Sequence, residues 1–248
     1  VNITMAGSYG KGTYVKGRKE VDLVATYAGD EMTLELFRDF LFEAVEGITR
    51  RKSKNMTSVP IPKRRFSKLV RFRGVEFDIL AAIPIEKPAE FLKYPQDQIA
   101  ELSASASKFQ KQFVKAQPTP CKELIRYGKY WREFFAWEDK PPSSFVIELL
   151  CIHAYEILLE KEGSFDLQEG FRIFLRLVIS RRIFKFWTDF YPKKVGLKMR
   201  KERFAEQKRV ILDPGNPANN VALAIRDWSQ FENCARATLT RLNELTEA

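Results

Sequence analysis

Glu20 and Asp22 stand two residues apart in the run Lys19-Glu20-Val21-Asp22-Leu23-Val24, and a third acid, Asp78, stands in the similar run Val75-Glu76-Phe77-Asp78-Ile79-Leu80. In an extended strand alternate residues share a face, so Glu20 and Asp22 project together while Val21 and Leu23 point into a core. If the strand carrying Asp78 pairs beside the first, three carboxylates converge without a loop having to hold them. Hard oxygen ligands of this kind suit Mg²⁺. Upstream, Gly7-Ser8-Tyr9-Gly10-Lys11-Gly12-Thr13 offers backbone and hydroxyl donors, and a glycine lets a phosphate approach the main chain closely. Phosphoryl-type transfer needs metals bridging phosphate oxygens, a positioned hydroxyl and donors along the triphosphate, and little covalent help. The combination therefore reads as a metal-dependent nucleotidyl-transfer site. Taken singly, Gly-Ser is a common turn and Glu-x-Asp a common solvated strand face; the order and spacing of all three pieces carry the reading.

The elements that must hold these residues are legible in outline. Residues 19–27 form a β-rich run, after which Asp30 or Thr33 can cap a helix whose apolar positions Leu36, Phe37, Phe40, Leu41, Ala44, Val45 and Ile48 recur at helical spacing. Past a basic stretch around Pro60 and Pro62, strands are predicted near 66–73 and 75–83, with Gly74 free to make the bend between them. Beyond Pro88 the pattern turns helical, with long segments over 96–115, 119–137, 145–161 and 167–190. Pro141-Pro142 and Gly163 break helices, and Pro214, Gly215 and Pro217 mark a late structured turn.

Composition bounds the rest. The 248 residues, 45% hydrophobic and 13% aromatic, suffice for one large domain or two lobes sharing a cleft. No apolar run approaches the roughly 20 residues that span a bilayer, so a soluble protein without membrane attachment is expected. Val1-Asn2-Ile3-Thr4-Met5-Ala6 reads as a strand entered without a start, and upstream sequence is expected. Cys121, Cys151 and Cys234 are dispersed and odd in number, which argues against a disulfide framework and for a cytoplasmic location. His153 is the only histidine, so a His-rich zinc site is excluded, and it lies in an apolar helical pattern as a packing residue. The net charge of +10 is concentrated. Arg51, Lys52, Lys54, Lys63, Arg64, Arg65, Lys68 and Arg71 follow one another with no acid among them, and a second block runs from Lys193 to Arg209. Such blocks attract polyphosphates or a nucleic-acid backbone, or simply keep a surface solvated.

The segments GSYGKGTYVKGRKEVDLV, GVEFDIL, LIRYGKYW, GFRIFLRLV and VILDPGNPANN, with the Pro141-Pro142 to Glu148-Leu149-Leu150 stretch, run in one order along nearly the whole chain. In this they resemble the 2′-5′-oligoadenylate synthases; the late VILDP turn is the most family-specific piece. The Gly-Ser and acidic pieces are shared with the wider polymerase-β-like nucleotidyltransferases, including cyclic GMP-AMP synthase. The resemblance implies an α+β, bilobal nucleotidyltransferase with a mixed sheet and helices in an N-lobe, residues 1–90, and an all-helical C-lobe, residues 91–248. It further implies polymerisation of ATP into 2′-5′-linked oligoadenylates with release of pyrophosphate, two Mg²⁺ ions (Mn²⁺ being an alternative), and a role in innate antiviral defence with double-stranded RNA as activator.

By the same resemblance Gly7 and Ser8 match the triphosphate-binding motif, and Glu20, Asp22 and Asp78 match the metal carboxylates. Arg126 and Lys129 match basic residues that reach nucleotide phosphates, as positive side chains one helical turn apart can. Ser144 and Phe145 fall where the family has a polar residue and a base-stacking tyrosine; phenylalanine keeps the stacking face. Lys11, Lys111, Lys115 and Thr119 match positions of the RNA-binding face, whereas Gln117 and Pro120 are neutral where basic residues are expected.

One departure bears on activity. The synthases usually carry aspartate where this chain has Glu20, whose longer stem moves the carboxylate outward by roughly 1.5 Å. The cyclic GMP-AMP synthase branch has glutamate there, while its zinc cluster has no counterpart here. Two other readings therefore stand beside the synthase: a cyclic-dinucleotide-making receptor, and a catalytically silent RNA-binding member of the family.

Overall fold

The computed structural model describes residues 1–15, 20–29, 32–51, 56–58, 66–138 and 140–247. A five-stranded sheet is built from β1 (Asn2–Met5), β2 (Glu20–Thr26), β3 (Met56–Ser58), β4 (Ser67–Phe72) and β5 (Val75–Ala82), in the spatial order β1-β2-β5-β4-β3. The sheet is mixed: β2 and β5 pair in parallel, and the other neighbours are antiparallel. A parallel pair needs a crossover, and this one contains helix α2 (Leu34–Arg51). Thr33 caps it by accepting from Leu36 N at 3.3 Å; Asp30, the other candidate, lies outside the described residues. Between β4 and β5 the loop is the pair Arg73-Gly74, both at positive φ (49° and 79°), the backbone that a two-residue hairpin requires.

Both faces of this sheet are covered. On one, Ala25 and Ala81 pack against Phe37 of α2, with Tyr27, Leu34 and Leu41 around them. On the other, Val24 and Ala82 pack against Ala6 and Ala104. Fully buried positions thus lie in the second half of β2, at Val24 and Ala25, while Val21 and Leu23 are only half-buried. On α2 the buried positions are Phe37, Val45 and Thr49, whereas Leu36, Phe40 and Ile48, expected on the oily face, are more than half exposed.

The segment expected as one helix over 96–115 is broken. After a 3₁₀ turn at Pro88–Lys93, it forms 3₁₀ turns at Gln96–Gln98 and Glu101–Ala106, and only then helix α3 (Ser107–Lys115). Ser105 Oγ accepts from Ile83 N at 3.0 Å, which ties these turns to the end of β5. The chain divides into two compact units: the first comprises Val1–Lys115 with Pro214–Asn216, the second Ala116–Asp213 with Pro217–Ala248.

The second unit is a helical assembly of α4 (Thr119–Glu133), α5 (Ser144–Glu162), α6 (Leu167–Ile179), α7 (Lys193–Glu202) and α8 (Trp228–Glu247). Residues 146–152 of α5 are all buried, so this stretch is enclosed on every side, with Glu148 its one charged residue, and the helix sits against α4 and α6. Gly128 permits the close approach: a Cβ there would meet Cys151 Sγ at 2.9 Å. Trp131 anchors an aromatic cluster with Phe174 and Phe231, and its indole N–H donates to Thr238 Oγ1 at 2.9 Å. This unit is not purely helical. The stretch expected as helix over 167–190 ends at Ile179, and β6 (Ile183–Lys185) joins β7 (Arg209–Asp213) and β8 (Asn216–Asn220) in a small sheet. Asn220 pins the hairpin, accepting from Ile211 N and donating to Arg209 O, both at 2.9 Å.

Among the described residues no helix is long and apolar enough to cross a membrane. His153 is a half-buried helix residue 3.7 Å from Glu156, whose carboxylate also meets Lys185 at 2.6 Å. Of the first basic block, Lys68 bonds Glu46 and Arg71 bonds Glu76. Lys52, Lys54, Lys63, Arg64, Arg65, Pro60 and Pro62 lie outside the described residues.

Candidate active site

The parallel register sets Asp22 opposite Asp78, with Glu20 two residues earlier on the same strand opposite Glu76. Positions 20, 22 and 24 share one sheet face, as do 78, 80 and 82. At the inner end of that face stand Val24 and Ala82 in the core; at the outer end stand the acids. One carboxylate oxygen from each of Glu20, Asp22 and Asp78 lies within 4.8 Å of the others. Three carboxylates so close repel one another unless a cation lies among them, and the donor set is all hard oxygen, as a divalent ion of the Mg²⁺ type requires. The residues present therefore fit the metal that the motif implied.

Ala6 N donates to Asp22 O at 2.9 Å and so fixes the start of the short helix α1 (Gly7–Lys11) beside that carboxylate. Gly7 has φ +57°, and a Cβ on it would lie 1.7 Å from Asp22 Oδ2. A side chain there would occupy the acid's own position, so glycine serves Asp22 directly. Ser8 is half-buried on the first turn, and Gly12, at φ +73°, closes α1 by donating to Tyr9 O at 3.3 Å.

In the second unit Arg126 on α4 is exposed, as a phosphate-binding cation needs to be. Lys129, expected to share that task, is different: it is 3% exposed, and its ammonium lies 2.5 Å from Glu148 Oε1 on α5, itself 1% exposed. Three residues advance a helix by about 300°, enough to turn one cation outward and the next into the α4/α5 seam. Lys129 thus acts as an interior tie and not as an exposed phosphate ligand. Ser144 and Phe145 are half-buried at the start of α5. Ser143 caps that helix, accepting from Val146 N at 3.3 Å, and Arg132 donates to Ser144 Oγ at 3.2 Å and to Pro142 O at 2.7 Å.

The residues expected on an RNA face divide as well. Lys115 and Thr119 are exposed, and Lys111 is half-buried with its ammonium donating to Met5 O at 3.1 Å. Lys11 is only 6% exposed, so it cannot lie on a solvent-facing cationic platform. Position in sequence beside exposed Tyr9 gave no sign of this. Reasoning from sequence also passed over Glu148 and Arg132 as site-shaping groups; the signal available for Glu148 was a lone acid inside the apolar run 145–152.

A family model described as 2′-5′-oligoadenylate synthetase 1, domain 2, C-terminus, matches residues 90–247. Rat (Rattus norvegicus) 2′-5′-oligoadenylate synthase 1A is 28% identical over 96% of this chain and 76% of that protein. Mouse (Mus musculus) 2′-5′-oligoadenylate synthase-like protein 2 is 27% identical over 93% of this chain, which spans only 52%, about half, of that relative. The mouse inactive 2′-5′-oligoadenylate synthase 1B is 27% identical over 94% of this chain and 71% of its own length. Among solved structures, E. coli MS115-1 CdnC with ATP superposes with a TM-score of 0.65 at 20% identity, covering 98% of this chain and 77% of that one. That likeness carries the α+β nucleotidyltransferase fold. With the family model spanning well over half of its residues, the chain belongs to the 2′-5′-oligoadenylate synthase family.

Proposed function

We propose that this chain is a metal-dependent nucleotidyltransferase that joins ATP into 2′-5′-linked oligoadenylates and releases pyrophosphate. The observation that carries the reading is the convergence of Glu20, Asp22 and Asp78 on paired parallel strands, with Gly7 moulded to Asp22. Two Mg²⁺ ions held there would neutralise phosphate charge and acidify the attacking hydroxyl. Asp78 would orient the acceptor 2′-hydroxyl and take its proton. The hydroxyl oxygen bonds to the α-phosphorus, the bond from that phosphorus to the bridging oxygen breaks, and pyrophosphate leaves with the electron pair. Gly7 and Ser8 would bind the β and γ phosphates through backbone and hydroxyl donors, and Arg126, by its match to the family's pattern, would offer a charge-assisted bond to a nucleotide phosphate. Phe145 would supply an aromatic face for the donor base, with Ser144 beside it. Lys129 supports this set indirectly, by locking α4 to α5 through Glu148.

Double-stranded RNA is proposed as the trigger, held by phosphate contacts to Lys111 and Lys115 on α3. The test is incubation with ATP and Mg²⁺, with and without an RNA duplex, reading pyrophosphate and the linkage of the product. Nuclease-resistant linear oligoadenylate is the expected product, and Asp22→Ala should abolish it while leaving duplex binding unchanged. Duplex binding without turnover under any nucleotide would instead make this a silent RNA-binding member of the family, as the name of one mouse relative describes that relative as inactive.

A further inference from the structure

The second unit carries a pocket of about 390 Å³ that the carboxylate cluster does not use, lined among others by Arg182, Phe184, Arg200, Glu206, Gln207 and Lys208. Its volume lies in the range of small-molecule sites. The walls are held by backbone bonds: Ile183 N donates to Lys208 O at 3.1 Å, joining β6 to the strand that follows, and Gln207 N donates to Phe204 O at 3.1 Å. Ser180 Oγ donates to Arg182 O at 2.9 Å and steadies the turn that delivers Arg182.

The charges of this pocket are arranged for an anion. Three cations, Arg182, Arg200 and Lys208, face it against one carboxylate, Glu206. Among the described residues no carboxylate forms an ion pair with any of the three, whereas neighbouring Lys198 has Glu202 at 3.8 Å and Lys185 has Glu156 at 2.6 Å. Arg200 is pre-set: its guanidinium donates to Phe204 O and, at 3.1 Å, to Ala205 O, and lies 5.9 Å from the centre of the Phe184 ring. A guanidinium fixed in this way loses little entropy when a further acceptor arrives. Phe184 is 37% exposed, a substantial aromatic surface facing out, and its ring is steadied by Phe186 with 5.3 Å between centroids. Cations beside an exposed aromatic ring match a ligand that is itself part polyanion and part flat π-system.

The geometry points to a second nucleotide site: a nucleoside polyphosphate binds here with its phosphates on Arg182, Arg200 and Lys208 and its base on Phe184. No metal is required, because the side chains themselves neutralise the phosphates. This site does not depend on the reading of the carboxylate cluster, and EDTA separates the two. The experiment is equilibrium dialysis of ATP against the whole chain in EDTA, together with photolabelling by 8-azido-ATP. Binding that persists in EDTA, with label between residues 180 and 209, is expected. Arg182→Glu/Lys208→Glu should weaken that binding at least about tenfold, with an unchanged melting curve because both side chains are exposed. Phe184→Ala should weaken ATP but leave inorganic tripolyphosphate unaffected. The proposal is overturned if EDTA removes all ATP binding, if the double variant binds ATP like the parent chain, if tripolyphosphate binds as tightly as ATP, or if the variants lose RNA-duplex binding and not nucleotide binding.

Discussion

The main chain at Gly7 lies so close to the Asp22 carboxylate that a methyl group on Gly7 would sit 1.7 Å from Asp22 Oδ2. Two constraints coincide there, since φ is +57° and the space is already occupied. Gly7→Ala should therefore displace the carboxylate as well as strain the backbone, by about 1–2 kcal/mol for the latter. A melting curve should show the small loss, while nucleotidyl transfer falls by roughly 10²-fold, as misplacing a reacting group by an ångström does. A Gly7→Ala protein of full activity would refute the idea that this glycine exists for Asp22.

Lys129 and Glu148 form a pair that water hardly reaches, so removing one partner takes away a close ion pair from a charge desolvated in the α4/α5 seam. Lys129→Met or Glu148→Gln alone should cost about 3–5 kcal/mol. The expected drop in Tm is of the order of 10 °C for a chain of this size. Lys129→Met combined with Glu148→Leu should recover most of the loss, since an apolar pair fits a seam that is otherwise apolar. Arg126→Ala, by contrast, should leave Tm unchanged and raise KM for ATP.

Burial pushes the Cys121 thiol up to about 12, helped by the negative charge of Glu156, and burial pushes Cys151 well above its ordinary value too. At pH 8 only about one Cys121 in 10⁴ is thiolate, the species that alkylates. Iodoacetamide should modify Cys234, the least buried of the three, first. Cys121 and Cys151 should react only as fast as the protein unfolds, and mass mapping of the alkylated peptides measures this directly.

Glu156 titrates below the ordinary glutamate value: burial acts to raise it, but the contacts with His153 and Lys185 outweigh burial. A lowered folded-state pKa means stability that is fully present above the unfolded value of about 4.3 and lost as pH falls through the folded one. Glu156→Gln should therefore destabilise the chain at neutral pH and flatten the acid limb of its stability curve below about pH 4. Denaturant melts at pH 7 and pH 3 provide the comparison; equal destabilisation at both would remove the ion pairs from the explanation.

How far the sequence discloses this molecule depends on the range of the forces involved. The alternation around Glu20 and Asp22, the repeat of it around Asp78 and the capping Thr33 are local signals, and each predicts its element. The stretch 96–115 misleads because Ile99, Leu102, Ala106 and Phe109 fall three and four apart across two 3₁₀ turns and the start of α3 much as in one α-helix. β8, Asn216–Asn220, contains Pro217 and no strongly strand-forming residue, and it exists because Asn220 bonds back to β7. Whether Arg126 or Lys129 faces outward is decided by α5, far along the chain, and no local pattern records it. Glycine at position 7 could be read as a phosphate cradle, but its clash partner is visible only once β2 is beside α1.

The register that sets Asp22 against Asp78 joins residues more than fifty positions apart through a crossover containing α2. Parallel pairing over such a span is slow to form and is absent from any chain in which the central sheet has not closed. The acidic cluster would therefore also be a sensor of its own folding: a divalent cation bound there in the native state would find no equivalent in the unfolded one. Ion concentration then becomes a thermodynamic variable of the fold, each decade above the dissociation constant adding about 1.4 kcal/mol. An ion among the three carboxylates would turn their mutual repulsion into a clasp between the two central strands.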